Sequence, residues 1–149
     1  MDQIDRRIIG ALQQDGRMSL TELAERVSLS VSATSERFRR LIEDGVLVGF
    51  HAVVDPEVVG RPIHALVDVR FPPGAYAPDL HLDEETFSGV VDAVHLTGPF
   101  DLQLRVVATG VDELDRLLSR LKDDLAVEET NTRLILRTID GFPRPVQPG

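Results

Sequence analysis

The sequence has no cysteine, no tryptophan and only one lysine among its 16 basic residues. The lack of cysteine excludes disulfides and thiolate metal sites, which suits a cytoplasmic protein. No stretch approaches the roughly 18 apolar residues that span a bilayer, and the acidic beginning of the chain lacks the basic segment of a signal peptide. We therefore expect a cytoplasmic globular protein with no membrane partner.

Features of enzymes and of metal sites are also lacking. The sequence has no glycine-rich phosphate loop, no nucleophile motif and no carboxylate pair of enzymatic type. Its four histidines are scattered, and no pair has the i,i+4 spacing of a metal site on a helix. We expect neither a metal nor a cofactor.

Residues 1–46 predict three amphipathic helices. The first is closed by Asp15-Gly16, and its apolar positions are Ile4, Ile8, Ala11 and Leu12. The second begins at Ser19, which with Glu22 has the spacing of a capping box. Its apolar positions are Leu20, Leu23, Ala24 and Val27.

The serine-rich run 28–32 competes for backbone hydrogen bonds and predicts a break before a third helix. Gly45 is placed to end that helix, and its inward positions are Thr34, Phe38, Leu41 and Ile42. Two short helices joined by a tight turn, after a first helix, predict a helix-turn-helix unit of the kind that binds DNA.

The outward face of the third helix is the candidate DNA contact. The positions expected to point outward are Ser32, Ala33, Glu36, Arg37 and Arg40. We expect Arg37 and Arg40 to reach guanine edges or phosphates, and Arg39 to reach phosphate from the flank. Ser32 and Thr34 lie near the helix start, where free amides favour phosphate. The alternative is a solvated face with a Glu36–Arg40 pair.

The net charge of −9 is unusual for a DNA-binding protein. Residues 61–149 contribute −6 of it, whereas residues 28–42 carry three arginines against one glutamate, a local +2. Screening acts over about 8 Å at physiological salt, so the local patch matters more than the total. The total still predicts weak non-specific binding, and therefore two or more DNA-binding units acting together.

The rest of the chain predicts a strand-rich second domain. A β-branched run after Gly45, VLVGFHAVVDP, predicts a strand within a linker over 47–60. Strands are then expected at 63–71, 90–97, 100–109 and 130–139, with helices at 79–88 and 111–125. The apolar stripe of the second helix is Val111, Leu114, Leu117, Leu118, Leu121 and Leu125.

This order is βαββαβ, the ferredoxin-like arrangement, over 61–140, with a loose tail at 141–149. The fold class is thus α+β: a three-helix winged or helix-turn-helix domain followed by a ferredoxin-like domain. Both helices would cover one face of the sheet. The other face carries the apolar residues Leu66, Val107, Ile135 and Ile139 among polar neighbours. We expect it to pair with the same face of a second copy.

Three segments together carry a resemblance to a known family. They are IDRRIIGALQQDGRMSLTELAERVSLS at 4–30, ERFRRLIEDGVLVGFHAVVDP at 36–56 and VHLTGPFDLQLRV at 94–106. The chain resembles the Lrp/AsnC (feast/famine) regulators. The resemblance implies a prokaryotic transcription factor with a DNA-binding N-terminal domain and a ligand-binding, oligomerising C-terminal domain. It also implies a homodimer that often assembles into an octamer and binds an amino acid or related metabolite between subunits.

The turn at 98–101 resembles the family's effector-binding motif. Gly98, Phe100 and Asp101 match it, whereas Pro99 stands where an acidic residue is usual, so one carboxylate and one amide are lost. The sequence leaves open whether the ligand is an ordinary amino acid or a different compound. Thr130 and Thr132 match a threonine-containing stretch that could border the same pocket. The alternatives are a plain hairpin turn with Phe100 in the core, and threonines favoured by a strand.

Two other functions stay open beside the regulator. Some tetrapyrrole (sirohaem) decarboxylases resemble this family's fold, and a metabolite sensor could have lost DNA binding. The arginine-bearing third helix argues against an enzyme, which has no need of that face. We therefore expect a regulator and not an enzyme.

Overall fold

A computed structural model describes residues 1–75, 82–83 and 85–139. Contacts divide the described residues into two compact units, 1–53 and 54–139. The first unit is helical, the second is a sheet with one helix among its described residues, and each has its own apolar core. Among the described helices, none is long and apolar enough to cross a bilayer.

The first unit contains three helices, as expected from the sequence. Helix α1 spans Gln3–Gln14, α2 spans Leu20–Val27 and α3 spans Val31–Glu43. The capping box at the start of α2 is confirmed, because the Glu22 N–H donates to Ser19 Oγ at 3.2 Å and the Ser19 N–H donates to Glu22 Oε2 at 2.8 Å. The bonds from Ser19 hold the pKa of Glu22 below its usual value.

The turn between α2 and α3 is shorter than the serine run suggested. Ser28 ends α2 in the left-handed conformation with φ 61°, and Ser30 already caps α3. Helix α3 ends as expected, since Gly45 adopts φ +67° and its N–H donates to the Ile42 carbonyl at 3.0 Å. The turn therefore occupies three residues, and Val31 is helical.

The helices enclose a core that matches most of the expected apolar positions. Its buried members are Ile8, Ile9, Ala11, Leu12, Leu23, Val27 and Leu41. The inward placement of Ile42 is wrong, because this side chain is 45% exposed while the adjacent Leu41 is buried. Ile42 lies about 100° around the helix from Leu41, and here the direction that buries Leu41 leaves Ile42 partly in solvent.

The strand expected in the linker is absent: no strand forms over residues 46–60. The backbone bonds there are local, such as the Arg61 N–H to the Pro56 carbonyl at 2.7 Å. Val48 and Val53 are almost fully exposed. A β-branched run becomes a strand only when another strand supplies the ladder, and this segment has none within the described chain.

The second unit is built on a four-stranded antiparallel sheet. The strands are β1 (Ile63–Arg70), β2 (Val90–His95), β3 (Leu102–Ala108) and β4 (Glu129–Leu134), in the order β2-β3-β1-β4. Helix α4 spans Val111–Leu125, as expected. All three pairings are antiparallel, and this strand order is that of the ferredoxin-like arrangement.

Alternation places the core of this unit on one face of the sheet, as predicted. In β1 the residues Ala65, Val67 and Val69 are at most 1% exposed. Leu104 of β3 lies opposite Val67 and is fully buried. The stripe of α4 covers this face with Leu114, Leu117 and Leu121, with Leu118 and Leu125 partly buried. Val111 was also expected there but is 65% exposed at the first turn of the helix.

Several element boundaries differ from the expectation. The predicted helix over 79–88 lies partly outside the described residues, and residues 85–88 form turns instead. The last strand ends at Leu134 instead of residue 139, since β1 offers no partner beyond its first residues: the final bond runs from the Ile135 N–H to the His64 carbonyl, and Pro62 has no N–H. The predicted tail, 141–149, lies outside the described residues.

The sheet face opposite α4 is more polar than expected. Asp68 of β1 is 5% exposed and lies at its centre. Its carboxylate accepts from Arg133 Nη2 at 2.7 and 2.9 Å and from Gln103 Nε2 at 2.8 Å, with Asn131 Nδ2 at 3.4 Å. The apolar patch predicted from the sequence is thus centred on a charged network.

Candidate functional site

The outer surface of α3 carries most of the residues expected to contact DNA. Ser32, Glu36, Arg39 and Arg40 are exposed, and Ala33 is half-buried. Ser30 caps the start of the helix, accepting from the Ala33 N–H at 3.3 Å, and its hydroxyl lies 3.1 Å from Ser32 Oγ. The helix therefore presents a short polar start and two exposed guanidinium groups.

Thr34 was expected both to face inward and to contact phosphate near the helix start. The structure places its side chain in the core with no exposed surface. Its hydroxyl donates to the carbonyl of Ser30 at 3.0 Å. The inward placement is confirmed, and contact of this side chain with phosphate is wrong.

Arg37 is not free on the outer face, contrary to the expectation. Its Nη1 donates to Asp2 Oδ2 at 2.6 Å and to Asp5 Oδ1 at 2.8 Å, and its side chain is 25% exposed. The hydrogen bonds that this guanidinium donates to Asp2 and Asp5 raise its pKa. Arg37 thus links helix α3 to the start of α1.

Arg39 and Arg40 are the exposed cations of this helix. Arg39 pairs with Glu43 at 2.6 Å, yet its side chain remains 67% exposed. Arg40 is 52% exposed and lies 3.7 Å from Asp5. The pair considered from the sequence, Glu36 with Arg40, is replaced by these two contacts. The Arg39–Glu43 pair is exposed on both sides, so it is weak and is easily exchanged for a phosphate. Arg40 stays half-exposed beside the buried Asp5.

The predicted effector turn lies at one end of the sheet. Gly98 adopts φ +117°, a conformation that favours glycine, and the Leu96 N–H donates to the Asp101 carbonyl at 2.8 Å across the turn. Asp101 is exposed and Phe100 is half-buried. Asp101 Oδ2 accepts from the Phe71 N–H at 2.8 Å.

The sheet brings Asp101 and Thr130 to opposite sides of the same residue. The Asp101 N–H donates to the Val69 carbonyl at 2.9 Å, and Val69 is the β-partner of Thr130. Thr132 lies two residues further along β4, opposite Val67. Both threonines are half-buried. The turn and the start of β4 therefore share one end of the sheet.

A separate cavity lies beside β2 in the second unit. It has a volume of about 530 Å³, and its lining includes Phe87, Val90 and Asp92. None of the predicted effector residues lines it. In the 98–101 turn, Gly98, Pro99 and Asp101 are exposed and Phe100 is half-buried.

Asp2 and Asp5 are parts of the site that were not predicted from the sequence. Asp2 caps α1 and forms a capping box with Asp5, whose side chain accepts from the Asp2 N–H at 2.9 Å. The three-residue spacing of the two aspartates was a signal for the cap. No local pattern could reveal Arg37, which is more than 30 residues away.

Comparison with known families assigns both units. Residues 1–48 match a family model described as winged helix-turn-helix DNA-binding, and residues 64–144 match the Lrp/AsnC ligand binding domain. The second match covers more than half of the chain. The two units are therefore a DNA-binding domain and a ligand-binding domain.

Individual relatives are similar to this protein over nearly the whole of its chain. The HTH-type transcriptional regulator FL11 of Pyrococcus horikoshii is 31% identical, with 93% of this chain and 91% of that protein covered. The HTH-type transcriptional regulator LrpA of Mycobacterium tuberculosis is 36% identical, with 93% and 91% covered. The structure of a feast or famine regulatory protein from Mycobacterium tuberculosis, complexed with L-methionine, superposes with a TM-score of 0.88 at 34% identity and 99% coverage of both chains.

The fold and these matches define a helix-turn-helix transcriptional regulator with a ligand-binding domain. The chain belongs to the Lrp/AsnC family.

Proposed function

We propose that this protein regulates transcription by binding double-stranded DNA through the outer face of α3, as a dimer whose ligand-binding domains sense an amino acid or a related metabolite. The observation that carries the proposal is the pair of exposed arginines, Arg39 and Arg40, on the capped third helix of a DNA-binding unit. Such a regulator works in the cytoplasm, where prokaryotic DNA lies.

A dimer would compensate for the weak DNA affinity that is expected of an acidic chain. The net charge of the chain is −9, and a single patch of two exposed arginines provides little affinity for DNA. The reason is that non-specific affinity increases with the number of phosphates that the protein neutralises. Two copies related by a two-fold axis place two α3 helices in successive major grooves, about 34 Å apart. Each contact that α3 makes with a base pair is then made by both subunits, once in each half of the DNA site.

The sheet face around Asp68 is the surface we assign to the dimer. Leu66 is half-buried on this face, between Arg105 of β3 and Arg133 of β4. A charged network that is already satisfied within one chain can be covered without leaving an unpaired charge. Higher assembly, up to an octamer, would use further surfaces.

The effector site we propose is the end of the sheet at Asp101 and Thr130, with Gly98, Phe100 and Thr132 nearby. The carboxylate of Asp101 would pair with the ammonium group of an amino acid. The related protein from Mycobacterium tuberculosis is complexed with L-methionine, which supports an amino acid as the class of ligand. Because the turn is open in one chain, a second subunit would close the site.

The relatives' names favour regulation over catalysis. FL11 and LrpA are both named HTH-type transcriptional regulators. We infer that this chain is likewise a regulator and not an enzyme of the tetrapyrrole decarboxylase kind.

The test is binding to a duplex that the purified protein itself selects from a random-sequence pool. We expect the double variant Arg39→Ala plus Arg40→Ala to bind this duplex at least about tenfold more weakly, because each subunit loses two cationic contacts. The matched control is Arg116→Ala plus Arg120→Ala, which removes two exposed arginines from α4 and should change affinity by less than about twofold. Equal losses in both variants, or no selected duplex, would overturn the proposal.

A further inference from the structure

Two carboxylates hold Arg37, and they differ in exposure. Asp5 has a side chain that is 6% exposed, accepts from the Asp2 N–H at 2.9 Å and also lies 3.7 Å from Arg40. The Asp2 side chain is 52% exposed. Asp5 is therefore fixed inside the domain, whereas Asp2 meets the same guanidinium from the solvent side.

The contact from Asp2 has the chemistry of a phosphate contact. A guanidinium group forms charge-assisted hydrogen bonds of the same geometry with a carboxylate and with a phosphate. Asp2 Oδ2 takes the bond from Arg37, while its other oxygen, Oδ1, accepts from the Asp5 N–H at 2.9 Å as the helix cap. The oxygen on Arg37 can thus be given up without loss of the cap.

The position of Arg37 on α3 brings this contact close to the proposed DNA surface. Arg37 lies one residue after the exposed Glu36 and one turn before the exposed Arg40 on that helix. Exposed ion pairs are worth little in water, so a phosphate of a bound duplex can compete with Asp2. The buried Asp5 offers no comparable route for exchange.

We propose that Asp2 occupies, in the free protein, the place on Arg37 that a DNA phosphate takes in the complex, while Asp5 stays paired and holds the guanidinium. Asp2 is then a built-in competitor, because DNA that contacts Arg37 must first displace it, and this lowers the affinity for such DNA. The inference rests on the proposed DNA-binding function. It adds an acidic residue to a site that the sequence described only through its arginines.

The experiment removes the charge of Asp2 but keeps the cap. Asp2→Asn retains an oxygen that accepts from the Asp5 N–H, and asparagine is as good an N-cap as aspartate. Affinity for the duplex selected by the wild-type protein is measured in two backgrounds, wild type and Arg37→Gln. The control Glu25→Gln removes one exposed carboxylate from α2.

We expect Asp2→Asn to tighten binding by about two- to fivefold per subunit in the wild-type background. In the Arg37→Gln background the gain should fall to that of Glu25→Gln, because Asp2 acts through Arg37. Arg37→Gln alone should also reduce the slope of log affinity against log salt by about one per subunit. Asp2→Ser has a second kind of uncharged cap, and it should change the affinity for the duplex as Asp2→Asn does. Agreement between the two variants excludes a folding defect in one of them as the cause.

An equal gain from Asp2→Asn in both backgrounds would overturn the inference, and so would no gain at all in a wild-type protein that binds DNA. A wild-type protein that selects no duplex would instead refute the proposed function itself. The two failures are therefore distinguishable.

Discussion

The backbone N–H of Phe71 donates to the Asp101 carboxylate at 2.8 Å, which joins the end of β1 to the turn before β3. The Asp101 N–H returns a bond to the Val69 carbonyl at 2.9 Å. Asp101 therefore stabilises the end of the sheet, and its carboxylate is also the group that we propose pairs with an effector. Substitutions at this position can separate the two roles.

Asp101→Ala should lower the free energy of unfolding by about 1 kcal/mol, because the Phe71 N–H loses its acceptor at a site that water still reaches. Asp101→Asn keeps a side-chain oxygen for that bond and should lower it by less than half as much. Denaturant unfolding of the three proteins measures the difference. If asparagine is as damaging as alanine, the hydrogen bond is not the cause.

Asp101→Asn should also abolish stabilisation by an effector. A thermal-shift screen of the wild-type protein against amino acids, L-methionine included, is expected to reveal one or more compounds that raise the melting temperature. The same compounds should leave Asp101→Asn unshifted, because its amide cannot pair with an ammonium group. Thr21→Ala, in the DNA-binding unit, serves as the control. An unchanged shift in Asp101→Asn would place the effector elsewhere.

Asp68→Ala should destabilise the second unit by about 2 kcal/mol. This substitution leaves Arg133 and Gln103 without their common acceptor at the centre of the sheet, and the loss stays moderate because water reaches the 53% exposed Arg133. Asp92→Ala, an exposed carboxylate on β2, should stay within about 0.5 kcal/mol of the wild type. Similar losses at both positions would show that the network has no special role.

The capping bond from the Asp5 N–H, with the bond from Arg37, lowers the pKa of Asp2 from 3.8 to about 2. A carboxyl whose pKa is lower in the folded state contributes stability above its unfolded pKa and loses it as the pH falls. We therefore expect the contribution of Asp2 to disappear between pH 4 and pH 2. Wild type and Asp2→Asn should differ in thermal stability at pH 6 and converge near pH 2. A constant difference across this range would contradict the assignment.

Features set by neighbouring residues could be predicted from the sequence. The cap at Ser19 and Glu22 depends on three residues of spacing, and the stripe of Leu114, Leu117 and Leu121 on the helical period. Alternation in β1 gave the buried face that contains Val67. In each case the local pattern and the tertiary packing require the same conformation.

Features set by distant partners could not be predicted. Arg37 is drawn to Asp2 and Asp5 by proximity in space, and helical periodicity alone placed it on the outer face. The β-branched run after Gly45 has strand propensity, yet a strand also needs a ladder that the described chain does not supply. Asp68 likewise acquires its partners only when three strands pair.

The central claim is that two copies of α3 read DNA through their exposed arginines. Hydroxyl-radical footprinting of the wild-type protein on its selected duplex tests this most directly. We expect two protected segments whose centres lie one helical turn, about 34 Å, apart, and both should be lost with Arg39→Ala plus Arg40→Ala. Protection that persists in this double variant, or a single protected segment, would contradict the account.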